Sequence, residues 1–169
     1  MTRVLLVTGS RSLADHPGAE AWARGLIRTS LAGVDLLIVG DAPGPDAFAV
    51  GIARIMEVPT SIYDTRTVNA GWVVDADSNR QFHWTAARPP TGTRGWKPWL
   101  LSRNEAMVSD AAKMLQHGHD VRCLALLDGT KRDAPGRRAT RGTEHTAGLA
   151  AHAGIVVTRR TWPEMEEGR

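Results

Sequence analysis

The sequence predicts a three-layer α/β fold around a mostly parallel five-stranded sheet, with a Trp-rich insertion after the third strand. Three observations predict it. Short, continuous apolar runs recur along the chain, the mark of strands covered on both faces. Stretches with apolar residues at three- and four-residue spacing lie between most of them, as amphipathic helices require. This alternation of strand and helix implies right-handed crossovers and a parallel sheet. Finally, 169 residues with 42% apolar content are enough for one domain with a core of its own.

The first strand is Val4–Thr8, followed by Gly9 and Ser10. Asp15 is placed to cap a helix through AEAWARGLIRTSL, with Pro17 in its first turn. The second strand, Leu36–Val39, runs into GDAPGPD and then a helix from Asp46 to Glu57. Phe48, Ile52, Ile55 and Met56 mark one face of that helix, and Ala47, Ala49, Gly51 and Ala53 permit close packing. The third strand is Thr60–Tyr63. There the rhythm breaks. Residues 65 to 101 exceed the roughly 12 to 15 residues of an ordinary connection and hold Trp72, Trp84, Trp96 and Trp99. Such aromatic content argues for order. The segment is expected to fold over the site as a lid, to pack on a second subunit or to extend the core, with Trp96 or Trp99 lining a ligand pocket or an interface. Ser102 is placed to cap the next helix, RNEAMVSDAAKMLQ, striped by Met107, Ala111, Met114 and Leu115. Arg122–Leu127 is the fourth strand. Thr140 or Thr143 opens a last helix that Gly154 ends, and Ile155–Thr158 is the fifth strand.

Composition excludes several classes. No apolar run nears the roughly 18 residues of a membrane helix. The opening MTRVLLVTGS carries too short an apolar run for a secretory signal, so the chain reads as cytoplasmic. The one cysteine, Cys123 in VRCLALL, allows no internal disulfide and reads as a small buried hydrophobe. Arg supplies 18 of the 21 basic residues, which suits bidentate recognition of phosphate or carboxylate. A net charge of +3 without a basic run argues against a nucleic-acid partner. His117 and His119 flank a glycine in a surface turn. No His, Cys, Asp or Glu grouping has metal-ligand spacing, so neither a metal nor a cofactor is expected.

Parallel sheets bind ligands beyond the carboxyl ends of their strands, and the chemistry-bearing residues gather there. Gly9 and Ser10 form a turn whose N–H groups can face an anion, with the Arg11 guanidinium beside it. The plain alternative is a strand-to-helix turn with a solvated Arg. Gly40, Asp41 and Gly44 stand in the loop after the second strand, where the glycines permit close backbone approach. Asp46 either caps the helix behind it or accepts bonds from sugar hydroxyls. Arg103 and Asn104 fall in the first turn of their helix, where an inward-facing Arg is poorly placed for the dipole. Gly142 and Thr143 follow a loop carrying Arg137, Arg138 and Arg141, and offer N–H and hydroxyl donors at a helix start, which suits phosphate. A flexible basic loop is the alternative there.

In order along the chain stand V-T-G-S-R, V-G-D-A-P-G-P-D, R-N-E-A-M, and T-R-G-T before a helix and G-I-V-V. Together they resemble the YspA-like branch of the SLOG superfamily, which is related to the lonely-guy phosphoribohydrolases and to the nucleotide-binding domain of DprA. The resemblance covers nearly the whole chain apart from residues 65 to 101. It implies a Rossmann-like fold that binds nucleotides or nucleotide-derived ligands, in a homodimer or higher homo-oligomer. Some relatives cleave the N-glycosidic bond of a nucleoside monophosphate, and others act as ligand sensors. Arg103 matches the Arg of the phosphoribohydrolase R-K-x-x-M motif, and Gly142 and Thr143 match the Gly-Thr of P-G-G-x-G-T-x-x-E. The catalytic Glu of that motif would fall at Thr146 and is absent, and the P-G-G is reduced to a distant Pro135-Gly136. The expected ligand is a nucleotide or nucleoside phosphate. Its phosphate would lie on Gly142–Thr143 with Arg141, near Ser10 and Arg11, its sugar near Asp46, and Trp99 at the wall. Any N-glycosidic hydrolysis needs a carboxylate to stabilise an oxocarbenium-like centre or to activate water. Asp46 and Glu144 are the candidates, with Arg103 beside them. A non-catalytic nucleotide sensor and a DprA-like single-strand DNA binder are the alternative readings.

Overall fold

The computed structural model describes residues 1–64, 71–74, 80–85, 97–131 and 141–163; of these, residues 64, 71–74, 80–85, 97–102, 131 and 141 are described by their backbone alone. The strands are β1 (Arg3–Gly9), β2 (Leu36–Gly40), β3 (Thr60–Asp64), β4 (Gly71–Val74), β5 (Arg80–Thr85), β6 (Asp120–Asp128) and β7 (Val156–Trp162). The helices are α1 (Pro17–Ser30), α2 (Pro45–Ile55), α3 (Lys97–Gln116) and α4 (Arg141–His152), with single 3₁₀ turns over Arg11–Asp15 and Gly129–Lys131.

Among the described residues one sheet holds seven strands, in the order β4-β5-β3-β2-β1-β6-β7. The five strands that the sequence predicts are parallel neighbours, with Leu5 opposite Leu37, Leu6 opposite Cys123 and Leu124 opposite Thr158. This is a Rossmann-like three-layer fold. The chain winds outward from β1 to β3, then returns to β6 on the other side of β1. The topological switch point therefore lies between β1 and β6.

Alternation along each strand builds the two cores. Leu5, Val7, Leu37, Val39, Leu124 and Leu126 point to one face, under α1 and α2. Val4, Leu6, Ile38, Val121 and Cys123 point to the other, under α3 and α4. Both faces are covered, which is why these runs read as continuously apolar. Cys123 is buried there, and burial pushes its thiol up to about 12.

The structure corrects several expectations. To the five parallel strands that the sequence predicts, the described part of the insertion adds β4 and β5, giving seven among the described residues. β5 pairs parallel with β3, and β4 pairs antiparallel with β5 at the sheet's edge. This much of the insertion extends the sheet. Trp96 lies outside the described residues, and Trp99 sits in the first turn of α3, described by its backbone alone. α3 starts at Lys97, so Ser102 lies inside the helix and not at its N-terminal cap position. Asp15 ends a 3₁₀ turn, and the residue before α1 is His16, whose side chain makes no capping bond. Ile55 is 82% exposed, since the buried face of α2 runs through Phe48, Ala49, Ile52 and Ala53. Gly154 does end the last helix, at a φ of +83° that favours glycine.

Candidate functional site

β2 ends at Gly40, and the site is built around that residue. A Cβ there would lie 2.6 Å from Asp46 Oδ2 and 2.8 Å from Arg103 Cζ. Only glycine leaves room for both side chains. Asp46 comes from α2 on one face of the sheet, and Arg103 from α3 on the other. They meet over the carboxyl end of β2.

Asp46 is not the cap of its helix. That position belongs to Gly44, at φ +88°, with Pro45 in the first helical place. The Asp46 carboxylate reaches back instead and accepts the Ala42 N–H at 3.3 Å. It is only 4% exposed, and burial pushes its pKa up to about 6, against the opposing pull of Arg103, the Ala42 N–H and Arg11. Asp41 adds to the rise.

Arg103 is buried and ion-paired with Asp41. Its Nε and Nη2 also donate to Asn104 Oδ1, at 3.2 and 3.0 Å. A guanidinium only donates, so the amide oxygen must face it, and the Asn104 NH₂ is turned the other way. That NH₂ points toward the start of α4, with Nδ2 4.0 Å from where a Cβ of Gly142 would be. Because α3 begins six residues before Arg103, both Arg103 and Asn104 sit in its second turn, away from the N-terminal positive end. The dipole argument against an inward Arg therefore loses its force.

α4 begins at Arg141, so the N–H groups of Gly142 and Thr143 fall in the first turn, where no carbonyl of the helix can accept them. Thr143 is buried, on the stripe it shares with Thr146, Ala147 and Ala150. Thr146 donates to the Gly142 carbonyl at 2.8 Å and is fully buried, so the place of the phosphoribohydrolase Glu is spent inside the helix. Glu144 lies off the buried stripe and is exposed. Arg141 is described by its backbone alone, and Arg137 and Arg138 lie outside the described residues.

At the end of β1 the expectation changes most. One reading of the sequence turns the Ser10 N–H to an anion, and the other makes the residue part of a plain strand-to-helix turn. That N–H donates to the Leu126 carbonyl at 2.9 Å, and the Ser10 hydroxyl accepts the Asp128 N–H at 3.3 Å. The turn is closed inward by the neighbouring strand. Gly9 is filled from above: a Cβ there would lie 2.5 Å from Pro45 Cβ. Arg11 follows with an exposed side chain, and its charge acts on Asp46.

The structure thus brings together Gly40, Asp41, Asp46, Arg103, Asn104 and Gly142, with Gly44 and Arg11 packed beside them. Gly9 and Ser10 serve the turn itself. Sequence reasoning missed Asp128, a buried acid at the end of β6. Its signal was available: LLDG ends an apolar run in Asp, as LLIVGD does at Asp41.

No family model and no curated protein matches the chain. Solved structures do. DNA processing protein A from Helicobacter pylori, described for its single-stranded DNA binding mode, matches with a TM-score of 0.56 at 13% identity, over 93% of this chain and 64% of that one. DNA processing protein A (DprA) from Streptococcus pneumoniae matches with a TM-score of 0.47 at 14% identity, over 93% of this chain and 58% of that one. The molybdenum cofactor carrier protein from Chlamydomonas reinhardtii gives 0.38 at 14% identity, over 94% of this chain and 90% of that one. The chain thus spans less than two thirds of the length of the two DNA processing proteins. The likeness to the Helicobacter protein is one of fold.

Proposed function

We propose that the chain binds a nucleotide or nucleoside phosphate at the carboxyl edge of its sheet, as a member of the YspA-like branch that its motif order resembles. The observation that carries this reading is the buried Asp41–Arg103–Asp46 cluster over Gly40. A core gains little from buried ions, whose desolvation offsets most of their attraction. At a ligand edge such groups have work to do. The phosphate sits on the Gly142–Thr143 helix start, where the Asn104 NH₂ adds a donor. The sugar lies beside Asp46.

An enzyme needs a base as well as a site. A carboxyl group with a pKa of about 6 is mostly ionised at neutral pH and still takes a proton readily. In N-glycosidic hydrolysis Asp46 would take a proton from water as the water oxygen bonds to the anomeric carbon. The carbon–nitrogen bond breaks, the base leaves with the bonding pair, and the proton that Asp46 took passes to it through solvent, which restores the carboxylate. Glu144, exposed on α4, has no comparable place in this scheme.

A thermal-shift screen with AMP, GMP, CMP and UMP tests binding, since a ligand at 100 times its dissociation constant adds about 2.7 kcal/mol of stability. Release of free base tests the reaction, and binding without release would leave a nucleotide sensor. The fold likeness to a DNA processing protein motivates a second reading, a single-strand DNA binder. Oligonucleotide binding that falls steeply with salt, with no response to any mononucleotide, would replace the first reading by the second.

A further inference from the structure

A second buried polar cluster lies at the switch point between β1 and β6. Asp128, 1% exposed, is its centre. Its carboxylate accepts the Ser12 hydroxyl at 2.5 Å through Oδ2, and the Thr130 N–H and hydroxyl at 3.0 and 2.5 Å through Oδ1. Its own N–H goes to the Ser10 hydroxyl. The next residue, Gly129, is wedged against the end of β7, where a Cβ would lie 2.8 Å from Thr161 Cγ2 and 3.0 Å from the Trp162 carbonyl oxygen. One carboxylate thus fastens the turn after β1, the turn after β6 and, through Gly129, the tip of β7.

Arg11 stands between two of these fixed points. Its neighbours on either side, Ser10 and Ser12, are both bonded to Asp128. From the opposite direction its backbone packs under Gly44, where a Cβ would lie 3.0 Å from the Arg11 carbonyl oxygen and 3.1 Å from its Cα. A backbone clamped on both sides gives the exposed side chain one starting point, beside Asp46. Long charged side chains lose much rotamer freedom on binding, so a fixed base lowers what the ligand must spend in ordering.

We infer that Asp128, acting through Ser12, is a positioning residue that holds Arg11 so that its guanidinium meets the anionic group of the ligand. The inference rests on the nucleotide-binding reading above. Asp128 itself touches no ligand. What it supplies is geometry, so an Asn in its place, with Oδ1 kept for Thr130 and an NH₂ for the Ser12 oxygen, supplies nearly the same.

A double-mutant cycle separates positioning from plain stability. Affinity for AMP, GMP, CMP and UMP is measured by calorimetry for the wild-type chain, Ser12→Ala, Arg11→Ala, the double variant and Asp128→Asn. Wild type binds at least one of the four. Arg11→Ala weakens that binding, and Ser12→Ala weakens it roughly fivefold to tenfold, the effect of misaiming one charge-assisted bond. In the Arg11→Ala background Ser12→Ala has no further effect, and Asp128→Asn stays within about twofold of wild type. Equal losses from Ser12→Ala in both backgrounds, or no loss from Arg11→Ala, overturn the inference while the nucleotide reading stands. If wild type binds none of the four, the nucleotide reading and the inference fall together.

Discussion

At the carboxyl ends of the strands on either side of β1 lie two buried carboxylates with opposite surroundings. Asp128, the last residue of β6, is ringed by donors: one hydroxyl from Ser12, and an N–H and a hydroxyl from Thr130. Asp46, behind β2, receives among the described residues a single N–H, from Ala42 at 3.3 Å, and stands near an arginine and another acid. Both are nearly sealed from water. A carboxylate whose lone pairs are filled by short neutral donors has no work left to do and braces the fold. A carboxylate that is desolvated and thinly bonded is pushed up toward neutrality and stays available for a proton or a hydroxyl. Burial alone does not mark a functional acid; the completeness of its bonding does.

The strongest way to break this contrast is to remove the arginine. Arg103 is 6% exposed by its side chain and balances Asp41, 12% exposed, with Asp46 close by. Arg103→Met removes the buried counter-charge that stands between the two acids. Breaking a buried pair costs about 3 to 5 kcal/mol, so the urea midpoint should fall sharply at pH 7. The Asp46 part of this loss should shrink as pH falls toward 6, because without Arg103 to hold its pKa down the variant's Asp46 takes up its proton at a higher pH than the wild type's. A loss under 1 kcal/mol would mean the cluster is wet and the contrast with Asp128 is false.

Proton linkage comes next in size. Asp46 has a folded pKa of about 6 against an ordinary 3.8. Below 3.8 both folded and unfolded forms are protonated. As pH rises from there, the unfolded chain releases its proton first, so the folded state is penalised progressively until about 6. Asp46→Asn abolishes this penalty. Relative to wild type, the variant should gain on the order of 3 kcal/mol between pH 3.5 and pH 7. If the proposed hydrolysis occurs, the same variant loses turnover, which would separate what the acid costs the fold from what it does for a substrate. A pH-independent stability difference would refute the raised pKa.

Thr143→Val probes the α4 end of the same cluster. Thr143 is buried on the stripe that faces the sheet, and Val keeps its shape while removing the hydroxyl, so the fold should lose about 0.5 to 1.5 kcal/mol, the net worth of one hydrogen bond. Nucleotide affinity should fall by about 1 to 3 kcal/mol, the loss of a hydrogen bond to a charged group. Unchanged affinity would move the phosphate away from the α4 start.

The legibility of the chain follows the same physics. β1, β2 and β6 were readable to within a few residues because they are covered on both faces and hence continuously apolar, whereas β3 and the mostly exposed edge strand β7 were placed by short β-branched runs that follow a helix. β4 and β5 were not, since GWVV is four residues long and RQFHWT mixes polar with aromatic. A period-two signal was present in β5, with Phe82 and Trp84 alternating with Gln81 and His83, as a strand with two unlike faces requires. Helix caps were misplaced at Asp15 and Ser102, and at Asp46 the cap was one of two readings, because residue type permits a cap and only the backbone decides it. At the site, the Gly40–Asp46–Arg103 grouping was legible as residues but not as a contact. The closure of the Ser10 turn depends on a carbonyl 116 positions away in β6, beyond any local pattern.

The smallest expected effect is the sharpest test of the contrast, because it asks whether the braced acid needs its charge at all. In Asp128→Asn the remaining oxygen can keep both Thr130 donors, and the new NH₂ can donate to the Ser12 oxygen, which then turns its own hydrogen elsewhere. What is lost is the extra strength of bonds to an ion, partly offset by no longer burying one. The net cost should be about 1 kcal/mol, against the 2 to 3 kcal/mol or so expected of Asp128→Ala, which leaves the buried Ser12 hydroxyl without its acceptor and frees the exposed Thr130 turn. Urea unfolding of both variants at one pH measures the pair. If Asn costs as much as Ala, the charge of Asp128 matters in its own right. Asp128 would then be a charged group held for a partner, on the same footing as Asp46, and the division between a braced and a poised carboxylate would not hold.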